Sequence, residues 1–352
     1  MAPKRLVEGE HLFATQALSS EEDHRPFAWA MQSAQNVTFP ASETPSHARH
    51  LPASMTAQII SGRDIADEIR AELRERVQSL AEGSGVTPGL ATVLVGEDPG
   101  SQMYVEMKNK AAKELGIDSR QITLSADTPE AELLGVVAGL NADPEIHGIL
   151  VQLPLPRHID EGRVIEAIDP SKDVDGFHPV SVGRLATDSG DFFAPATPSG
   201  IVEMLMRSGH DPSGKHVVVI GRSNLVGRPL GSLLLRKARG GNATVTVCHS
   251  RTADLAEHTR RADILVVAMG RPEVITADMV SPGTVVIDVG TNRVDDPSRE
   301  KGYRVCGDVL FEEVSEVAAA ISPVPGGVGP MTITMLLVNT VKAATQAATP
   351  PA

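Results

Sequence analysis

The stretch of residues 216–229, HVVVIGRSNLVGRP, decides the fold. Its continuous apolar run predicts a buried strand over residues 216–220, and the residues after the glycine-bounded turn predict a helix over 225–237. Apolar runs of the same kind alternate with helical patterns along the chain, at residues 90–95, 148–152, 244–248, 264–268 and 284–289. Because uninterrupted apolar strands that alternate with helices are typical of parallel sheets covered on both faces, the sequence predicts an α/β fold.

The alternation forms two blocks, which indicates two domains. A loop rich in Pro, Asp and Gly separates them over about residues 154–198, with one helical turn near 164–168. We predict an N-terminal α/β catalytic domain over residues 55–176, completed by the C-terminal helix so that residues 325–348 return to it. Residues 195–322 are predicted to form a Rossmann-like domain.

Composition limits the class of protein. The 352 residues carry a formal net charge of −13, which argues against a general nucleic-acid or membrane-surface binder because phosphate contact needs clustered Lys and Arg. Two cysteines, Cys248 and Cys306, suggest neither a disulfide framework nor a Cys-based zinc site. Apolar runs stay shorter than the ~18 residues of a membrane helix, so we expect a cytoplasmic protein. Residues 1–54 are aperiodic and predict a disordered extension. The alternatives are a regulatory or targeting arm, and a misassigned start with Met55 as the real initiator.

The turn after the 216–220 strand has the features of a dinucleotide site. Gly221 and Gly227 bound a turn that contains Arg222 and Ser223 and leads into a helix. Small residues let the backbone approach a pyrophosphate, and the helix N-terminus offers free N–H donors with a partial positive charge. The pattern is GxSxxxG rather than GxGxxG, so an ordinary strand-to-helix turn is the alternative.

The end of the next strand favours NADP over NAD. An NAD enzyme usually places Asp or Glu there to bind the ribose hydroxyls. Here the strand ends Cys248-His249-Ser250-Arg251-Thr252 without an acid, and Arg222 lies in the first turn. Arginines in place of a carboxylate suit the 2′-phosphate of NADP. We interpret His249 as structural, because nothing nearby in the sequence supplies a partner acid.

A lysine and an amide suggest the chemical site. Tyr104 and Lys108 are four residues apart on a predicted helix, so they share one face. The strand at 148–152 delivers Gln152 to the same carboxyl edge, where α/β proteins place their sites. A buried lysine has its ammonium form disfavoured and can move protons near neutral pH. A surface helix could carry the same pair by chance.

Two loops complete the candidate site. Residues 172–177, KDVDGF, hold an acid pair before Gly, as in plain turns and metal loops, but no further ligands follow at EF-hand spacing, so we predict no metal. A carboxylate here suits the paired N–H donors of an amino-pyrimidine-like edge. The loop at 323–330, PVPGGVGP, offers bare backbone to a flat ligand or forms a rigid connection between domains.

Seven strings in order give the sequence a family resemblance. They are GSQMYVEMKNKAAKELGI, GILVQLPLP, DPSKDVDGFHP, PATPSG, VVIGRSNLVGRP, CHSRT and PVPGGVGPMT, within about residues 59–344. The chain resembles the bifunctional methylenetetrahydrofolate dehydrogenase/methenyltetrahydrofolate cyclohydrolase family. One departure is Ala196, where the family often has Cys in the PxTPxG string.

The resemblance implies an activity and roles for individual residues. It implies oxidation of 5,10-methylenetetrahydrofolate with NADP and hydrolysis of the product to 10-formyltetrahydrofolate, a donor for purine synthesis, by a homodimer. Asp175 would bind the pterin, Tyr104 would stack on its ring, Lys108 would assist proton movement and Gln152 would position Lys108. Further matches are the NADP-contacting Gly221, Arg222, Ser223, Ser250 and Thr291, and the substrate-binding Pro325 and Gly326.

Two other interpretations fit part of the sequence. A shikimate-dehydrogenase-like enzyme also pairs a catalytic Lys with an NADP module, but its small anionic substrate would leave the DVDGF acid and the proline-glycine loop without a purpose. An NADP-binding regulatory protein with a dead site is a non-enzymatic alternative. The intact set of Tyr104, Lys108, Gln152 and Asp175 argues against it.

Overall fold

The computed structural model describes residues 57–349. The strands are β1 Gln58–Ile59, β2 Gly89–Val95, β3 Asp118–Leu124, β4 Gly148–Val151, β5 His216–Ile220, β6 Thr244–Cys248, β7 Ile264–Val267, β8 Val285–Asp288, β9 Asn292–Asp295, β10 Tyr303–Cys306 and β11 Ala320–Ile321. The helices are α1 Gly62–Ser84, α2 Pro99–Glu114, α3 Glu130–Ala142, α4 Glu161–Ala167, α5 Pro179–Thr187, α6 Ala196–Arg207, α7 Gly227–Leu235, α8 Leu255–Arg260, α9 Phe311–Val314 and α10 Val328–Ala348, with a 3₁₀ turn at Ala277–Met279. The extension predicted for residues 1–54 lies outside the described residues.

The first sheet is parallel and has the order β3-β2-β4. Every residue of β2 and β4 is buried, as expected for strands that helices cover on both faces. Leu90 and Leu150 pack into one apolar cluster with residues of α1, α2 and α10, while Val93 and Ile149 pack into another with α3 and α4. The sheet therefore presents the ends of β2 and β4 at one common edge.

The second sheet is also parallel, with the order β1-β11-β8-β7-β5-β6. Strand β5 lies between β6 and β7. The chain therefore adds β6 on one side of β5 and then crosses over to add β7 on the other side, which reverses the strand order at β5. In such sheets ligands bind in the crevice at the carboxyl ends of the strands where the order reverses. The predicted α/β fold with a Rossmann-like module is confirmed.

Helices α1, α6 and α10 pack together between the two sheets, with α10 against both of the others. Within α10, Val328 and Met331 belong to the core of the six-stranded sheet, whereas Leu336 and Leu337 belong to that of the three-stranded sheet. One long apolar helix thus contributes to both cores. None of the helices in residues 57–349 is long and apolar enough to cross a membrane.

The structure differs from the sequence expectation in several elements. The loop predicted over residues 154–198 contains helix α5, whose start is capped by the His178 ring, which accepts from Val180 N. Only Ser181 and Leu185 of α5 are buried, so its periodic signal is short. The predicted C-terminal helix is α10, over Val328–Ala348, and β9 and β10 form an unpredicted antiparallel hairpin. The predicted domain boundaries stay predictions. Strand β1 lies within the range predicted for the N-terminal domain, but it joins the six-stranded sheet.

Candidate active site

Helix α2 begins directly after β2, and its start is fixed by local capping. The turn uses Gly96 at a φ of 90°, a left-handed conformation that favours glycine. The side chain of Asp98 then accepts a hydrogen bond from Ser101 N at 2.8 Å, and Pro99 occupies the first helical turn. The helix therefore projects from the carboxyl edge of the sheet, where the end of β4 also lies.

Lys108 of α2 is buried at this edge of the sheet, with 7% of its surface exposed. Its Nζ donates a hydrogen bond to Oε1 of Gln152 at 3.0 Å, and the amide of Gln152 in turn donates to Leu153 O at 2.7 Å. Gln152 follows the last residue of β4, so a helix and a strand end hold the two partners. A neutral acceptor orients the amine without fixing it as a permanent ion pair.

Asp175 lies close enough to Lys108 for their charges to interact, and it is half-buried. Burial lowers the pKa of the Lys108 amine, and the Asp175 carboxylate partly opposes that shift. Burial likewise raises the pKa of Asp175, with Lys108 opposing. Both pKa values are therefore shifted toward the neutral forms, as is typical of titratable groups at functional sites.

Asp173 was not assigned a role in the sequence analysis, but it holds the loop that carries Asp175. Its buried carboxylate accepts hydrogen bonds from the backbone N–H groups of Gly176, Phe177 and His178 at 3.0–3.2 Å. Burial raises the pKa of Asp173 to about 6, the backbone donors opposing. The partners of Asp173 are backbone atoms, which the sequence does not distinguish. The only sequence signal for its role was its position, two residues before Asp175 and three before Gly176.

The side chains of Lys172 and Asn339 also hold the loop that carries Asp175. Lys172 Nζ donates to the carbonyl oxygens that end α3, including that of Asp143 at 2.7 Å. Asn339 of α10 donates to Val174 O at 2.8 Å and to Ala194 O at 2.9 Å. The loop that carries Asp175 is therefore attached to both α3 and α10.

The remaining residues predicted to bind folate lie on α2 and in the loop before α10. Tyr104 is half-buried, one turn before Lys108 on α2. In the loop before α10, Pro325 follows a cis peptide bond and is exposed, and Gly326 has a φ of 105°. The carbonyl of Gly326 accepts from Arg63 N at 3.0 Å, which attaches the loop to the start of α1.

The turn after β5 brings two backbone segments into contact that only glycine allows. A Cβ at Gly221 would lie 2.3 Å from Ala268 O, and a Cβ at Gly227 would lie 2.0 Å from Gly221 O. The turn leaves Arg222 and Ser223 exposed, and the hydroxyl of Ser223 accepts from Val226 N at 3.1 Å. This bare, tightly folded cradle at the order reversal fits the pyrophosphate of a dinucleotide.

The other predicted cofactor residues lie at the same edge. Ser250 follows β6 and Thr291 follows β8, and both are exposed. The ring nitrogen Nδ1 of His249 accepts from Arg251 N at 3.2 Å, and His249 N donates to Thr252 Oγ1 at 2.9 Å. His249 therefore organises the turn that presents Ser250, in line with its structural interpretation.

Both parts of the chain match known domain families. Residues 60–175 match the tetrahydrofolate dehydrogenase/cyclohydrolase catalytic domain, and residues 195–348 match the NAD(P)-binding domain of the same enzymes. The chain belongs to the tetrahydrofolate dehydrogenase/cyclohydrolase family.

Individual members of the tetrahydrofolate dehydrogenase/cyclohydrolase family are similar over almost their whole length. The bifunctional protein FolD of Syntrophus aciditrophicus is 58% identical over 290 residues, covering 82% of this chain and 98% of that protein. A crystal structure of the bifunctional FolD enzyme of Campylobacter jejuni is 46% identical with a TM-score of 0.77, covering 82% of this chain and 99% of that one. The Trypanosoma brucei FolD, complexed with NADP cofactor and inhibitor, is 41% identical with a TM-score of 0.78, covering 83% and 99%.

In this member of the tetrahydrofolate dehydrogenase/cyclohydrolase family, the buried carboxylate of Asp308 holds the loop after β7. It accepts hydrogen bonds from the N–H groups of residues 269–271 at 2.6–2.9 Å and from Asn292 Nδ2 at 2.8 Å. The preceding residue, Ala268, carries the carbonyl that approaches Gly221. The sequence analysis missed Asp308, because its backbone donors lie 37–39 residues earlier.

Asp288, the last residue of β8, binds the backbone of Asp308 and its neighbour. Its buried carboxylate accepts from the N–H groups of Gly290, Asp308 and Val309 at 2.9–3.0 Å. Burial raises the pKa of Asp288 to about 6 despite these donors. Two linked carboxylates thus set the loops after β7 and β8, which flank the dinucleotide cradle and lead to Thr291.

Replacing Asp308 with Asn should weaken dinucleotide binding. The variant keeps the side-chain size but turns one acceptor oxygen into a donor that faces backbone N–H groups, and hydrogen bonds to a charged group contribute about 1.5–3 kcal/mol each. We expect KM for NADP to rise about tenfold or more while KM for the folate substrate changes little. The exposed Asp295→Asn on β9 is the matched control. A lower melting temperature with unchanged KM for NADP would leave Asp308 a purely structural role.

Ala196, which stands where the family often has Cys, lies in an apolar core rather than among the charged groups of the site. Ala196 is the first residue of α6, is buried, and packs in the cluster that contains Leu150 and Val174. Within residues 57–349, His, Cys, Asp and Glu side chains form no group of three that could hold a metal ion.

Proposed function

We propose that this protein oxidises 5,10-methylenetetrahydrofolate with NADP and then hydrolyses the resulting 5,10-methenyl compound to 10-formyltetrahydrofolate. The observation that carries the proposal is the buried amine of Lys108, hydrogen-bonded to Gln152 and within electrostatic reach of Asp175. Family membership supplies the reaction type. Residues 55–176 with 325–348 would form the folate-binding catalytic domain, and residues 195–322 the NADP-binding domain.

Substrate binding is assigned to the loop carboxylate and the aromatic ring of the site. Asp175 accepts hydrogen bonds from the amino-pyrimidine edge of the pterin, which presents paired N–H donors. Tyr104 stacks on the ring system, and the backbone of Pro325 and Gly326 faces the flat ligand. These contacts fix the methylene bridge between N5 and N10 over the groove, where orientation contributes most of the rate of hydride transfer.

The turn after β5 suits the pyrophosphate of NADP, since a Cβ at Gly221 or Gly227 would collide with a backbone oxygen and prevent the tight turn. Gly221 and Ser223 are assigned to the pyrophosphate, Arg222 and Ser250 to the 2′-phosphate side, and Thr291 to the far end. When bound, NADP supplies the acceptor for the hydride that leaves the methylene carbon. The protein's part in this step is alignment and exclusion of water, so no side-chain proton is needed.

Hydrolysis of the methenyl cation needs proton transfer, and Lys108 is assigned to it. Its amine accepts one proton as water adds to the cationic carbon, which leaves a hydroxyl on that carbon. The ammonium then returns the proton to N5 as the bond from that carbon to N5 breaks, and the hydroxyl releases its proton to solvent as the C=O bond forms. Gln152 holds the amine in place, and Asp175 stabilises the ammonium form. The formyl group remains on N10.

The choice of NADP over NAD is testable in one assay. Arg222 in the cradle turn, and a strand end without an acid, suit a 2′-phosphate, and hydrogen bonds to such an anion contribute about 1.5–3 kcal/mol. We expect kcat/KM for methylenetetrahydrofolate oxidation to be at least about tenfold higher with NADP than with NAD. Arg222→Ala should lower the value for NADP and leave that for NAD unchanged. Equal use of both dinucleotides by the native protein would contradict the assignment.

Family resemblance supports a homodimer that acts in the cytoplasm. Light scattering coupled to size-exclusion chromatography would measure the assembly, and a mass of about 37 kDa, that of a single chain, would exclude the dimer.

A further inference from the structure

One glutamate in the loop after β7 has an unusual backbone conformation. Glu273 has a φ of 53°, in the left-handed region that glycine favours. Within residues 57–349, the other non-glycine residues with positive φ have short polar side chains that tolerate this region, namely Asp188, Asn242 and Asp254. Strain of this kind persists only where surrounding contacts impose it, and it is concentrated at functional sites. Glu273 must therefore be held in this conformation by its contacts.

The backbone around Glu273 is hydrogen-bonded to the segment that follows β10. Glu273 N donates to Gly307 O at 3.1 Å, and Ile275 N donates to Asp308 O at 3.0 Å. The carboxylate of Asp308 accepts from the other end of the same loop, residues 269–271. Both ends of the loop after β7 are thus attached to the chain around Asp308.

The side chain of Glu273 forms an ion pair with Arg304 of β10. Nη1 and Nη2 of Arg304 donate to Oε1 and Oε2 of Glu273, each at 2.7 Å, and two parallel bonds of this kind are a strong and geometrically specific arrangement. Pairing with the guanidinium lowers the pKa of Glu273. The Arg304 side chain is 36% exposed and that of Glu273 is 26% exposed, so water weakens the pair only in part. The pair joins the loop after β7 to the β9–β10 hairpin.

The two elements that this ion pair joins flank the dinucleotide cradle. At the start of the loop, Ala268 carries the carbonyl that approaches Gly221. The hairpin begins with Asn292, directly after Thr291, and Asn292 Nδ2 donates to Asp308 at 2.8 Å. The ion pair is therefore a further side-chain contact between the hairpin and the segments that border the cradle.

We propose that the Glu273–Arg304 ion pair is a latch that positions the loop after β7 and Thr291 for dinucleotide binding. The inference rests on the proposed function, because the cradle is assigned to NADP there. Glu273 and Arg304 act through the backbone that they hold, so they are positioning residues and need not contact the dinucleotide. A glycine would suit the backbone at this position better but could not form the pair, which accounts for a glutamate at a strained φ.

A double-mutant cycle on NADPH binding tests the latch. The dissociation constant is measured by titrating NADPH fluorescence, which requires no turnover. Glu273→Gln and Arg304→Gln should each raise it about three- to fivefold, as expected for one partly exposed ion pair. The double variant should bind no more weakly than the single variants, because either change already breaks the pair. Arg304→Lys, which cannot form both parallel bonds, should fall between the native protein and Arg304→Gln.

The control for this cycle is an ion pair of similar exposure on another sheet. Arg120 of β3 lies 2.7 Å from Asp143, and their side chains are 41% and 25% exposed. Arg120→Gln therefore removes a comparable guanidinium from the three-stranded sheet. Its dissociation constant for NADPH should equal that of the native protein.

Glu273→Gly separates the latch from the stability of the loop. Glycine adopts a φ of 53° without strain, so the melting temperature should stay close to that of the native protein while the dissociation constant rises as in Glu273→Gln. Exchange of the charges, Glu273→Arg with Arg304→Glu, should return the constant toward the native value. Glu273→Arg alone should weaken binding more than Glu273→Gln, because it places two cations together.

Two results would overturn the latch while leaving dinucleotide binding in place. One is an additive cycle or unchanged dissociation constants in all variants of Glu273 and Arg304. The other is weaker binding only in those variants whose melting temperature has fallen, since that would make the pair purely structural. Failure of the native protein to bind NADPH would instead overturn the cofactor assignment of the proposed function, and the latch with it.

Discussion

Lys108→Ala should abolish the cyclohydrolase activity and spare part of the dehydrogenase activity. A positioned acid–base group contributes about 10²–10⁴-fold to a rate, and hydrolysis depends on the Lys108 amine at both the addition of water and the release of N5. Hydride transfer depends on alignment, so we expect a loss of about tenfold or less there. The two rates are measured separately, as NADPH formation and as decay of the methenyl absorbance.

The control for this variant lies on the same helix. The side chain of Lys110 on α2 is 79% exposed, and its Nζ lies 3.9 Å from Glu114 Oε1. Lys110→Ala therefore removes an amine that lies outside the site. Both activities should stay close to those of the native protein. Full cyclohydrolase activity in Lys108→Ala would remove the proton-transfer role, and an equal loss of both activities would assign Lys108 to binding rather than to the hydrolytic step.

The pH profile of the native enzyme reports on the same amine. Burial lowers the pKa of Lys108, so a larger fraction is neutral at a given pH than for an exposed lysine. Only the neutral amine can accept a proton from water, so the cyclohydrolase rate falls as the pH drops through this lowered pKa. This acid limb should be absent from any residual activity of Lys108→Ala.

The fold was predictable because its strongest signals are local. Strands β2, β4 and β7 are apolar runs buried along their whole length, so the alternation with helices was visible in the sequence. Two-residue strands such as β1 carry no periodicity. Helix α5 was hidden in a Pro- and Gly-rich segment, because only two of its side chains reach the core.

The site was only partly predictable, for a related reason. Lys108 and Gln152 could be paired because each follows a strand whose end reaches the same sheet edge. The groups that hold the loops could not be paired in this way. Asp173 and Asp308 bind backbone N–H groups, which every residue except proline carries, and the backbone partners of Asp308 lie 37–39 residues away. Sequence patterns therefore indicate the reacting groups better than the carboxylates that position them.

Asp175→Ala should mainly weaken folate binding. The carboxylate is assigned two hydrogen bonds from the pterin, each contributing about 1.5–3 kcal/mol when one partner is charged. We expect KM for methylenetetrahydrofolate to rise about 100-fold, with KM for NADP changed less than threefold. Initial-rate kinetics with each substrate varied in turn would measure both values. The exposed Asp118→Ala on β3 is the control for loss of a carboxylate.

The same variant also tests the coupling between the two charged groups. Asp175 raises the pKa of Lys108 against the effect of burial, so its removal lowers that pKa further and shifts the acid limb of the cyclohydrolase profile to lower pH. Asp175→Asn should show this shift while keeping the size of the side chain. An unchanged folate KM together with an unshifted profile would mean that Asp175 neither contacts the pterin nor acts on the amine. A shifted profile with normal KM would leave it a role through Lys108 alone, and the pterin would then need another acceptor.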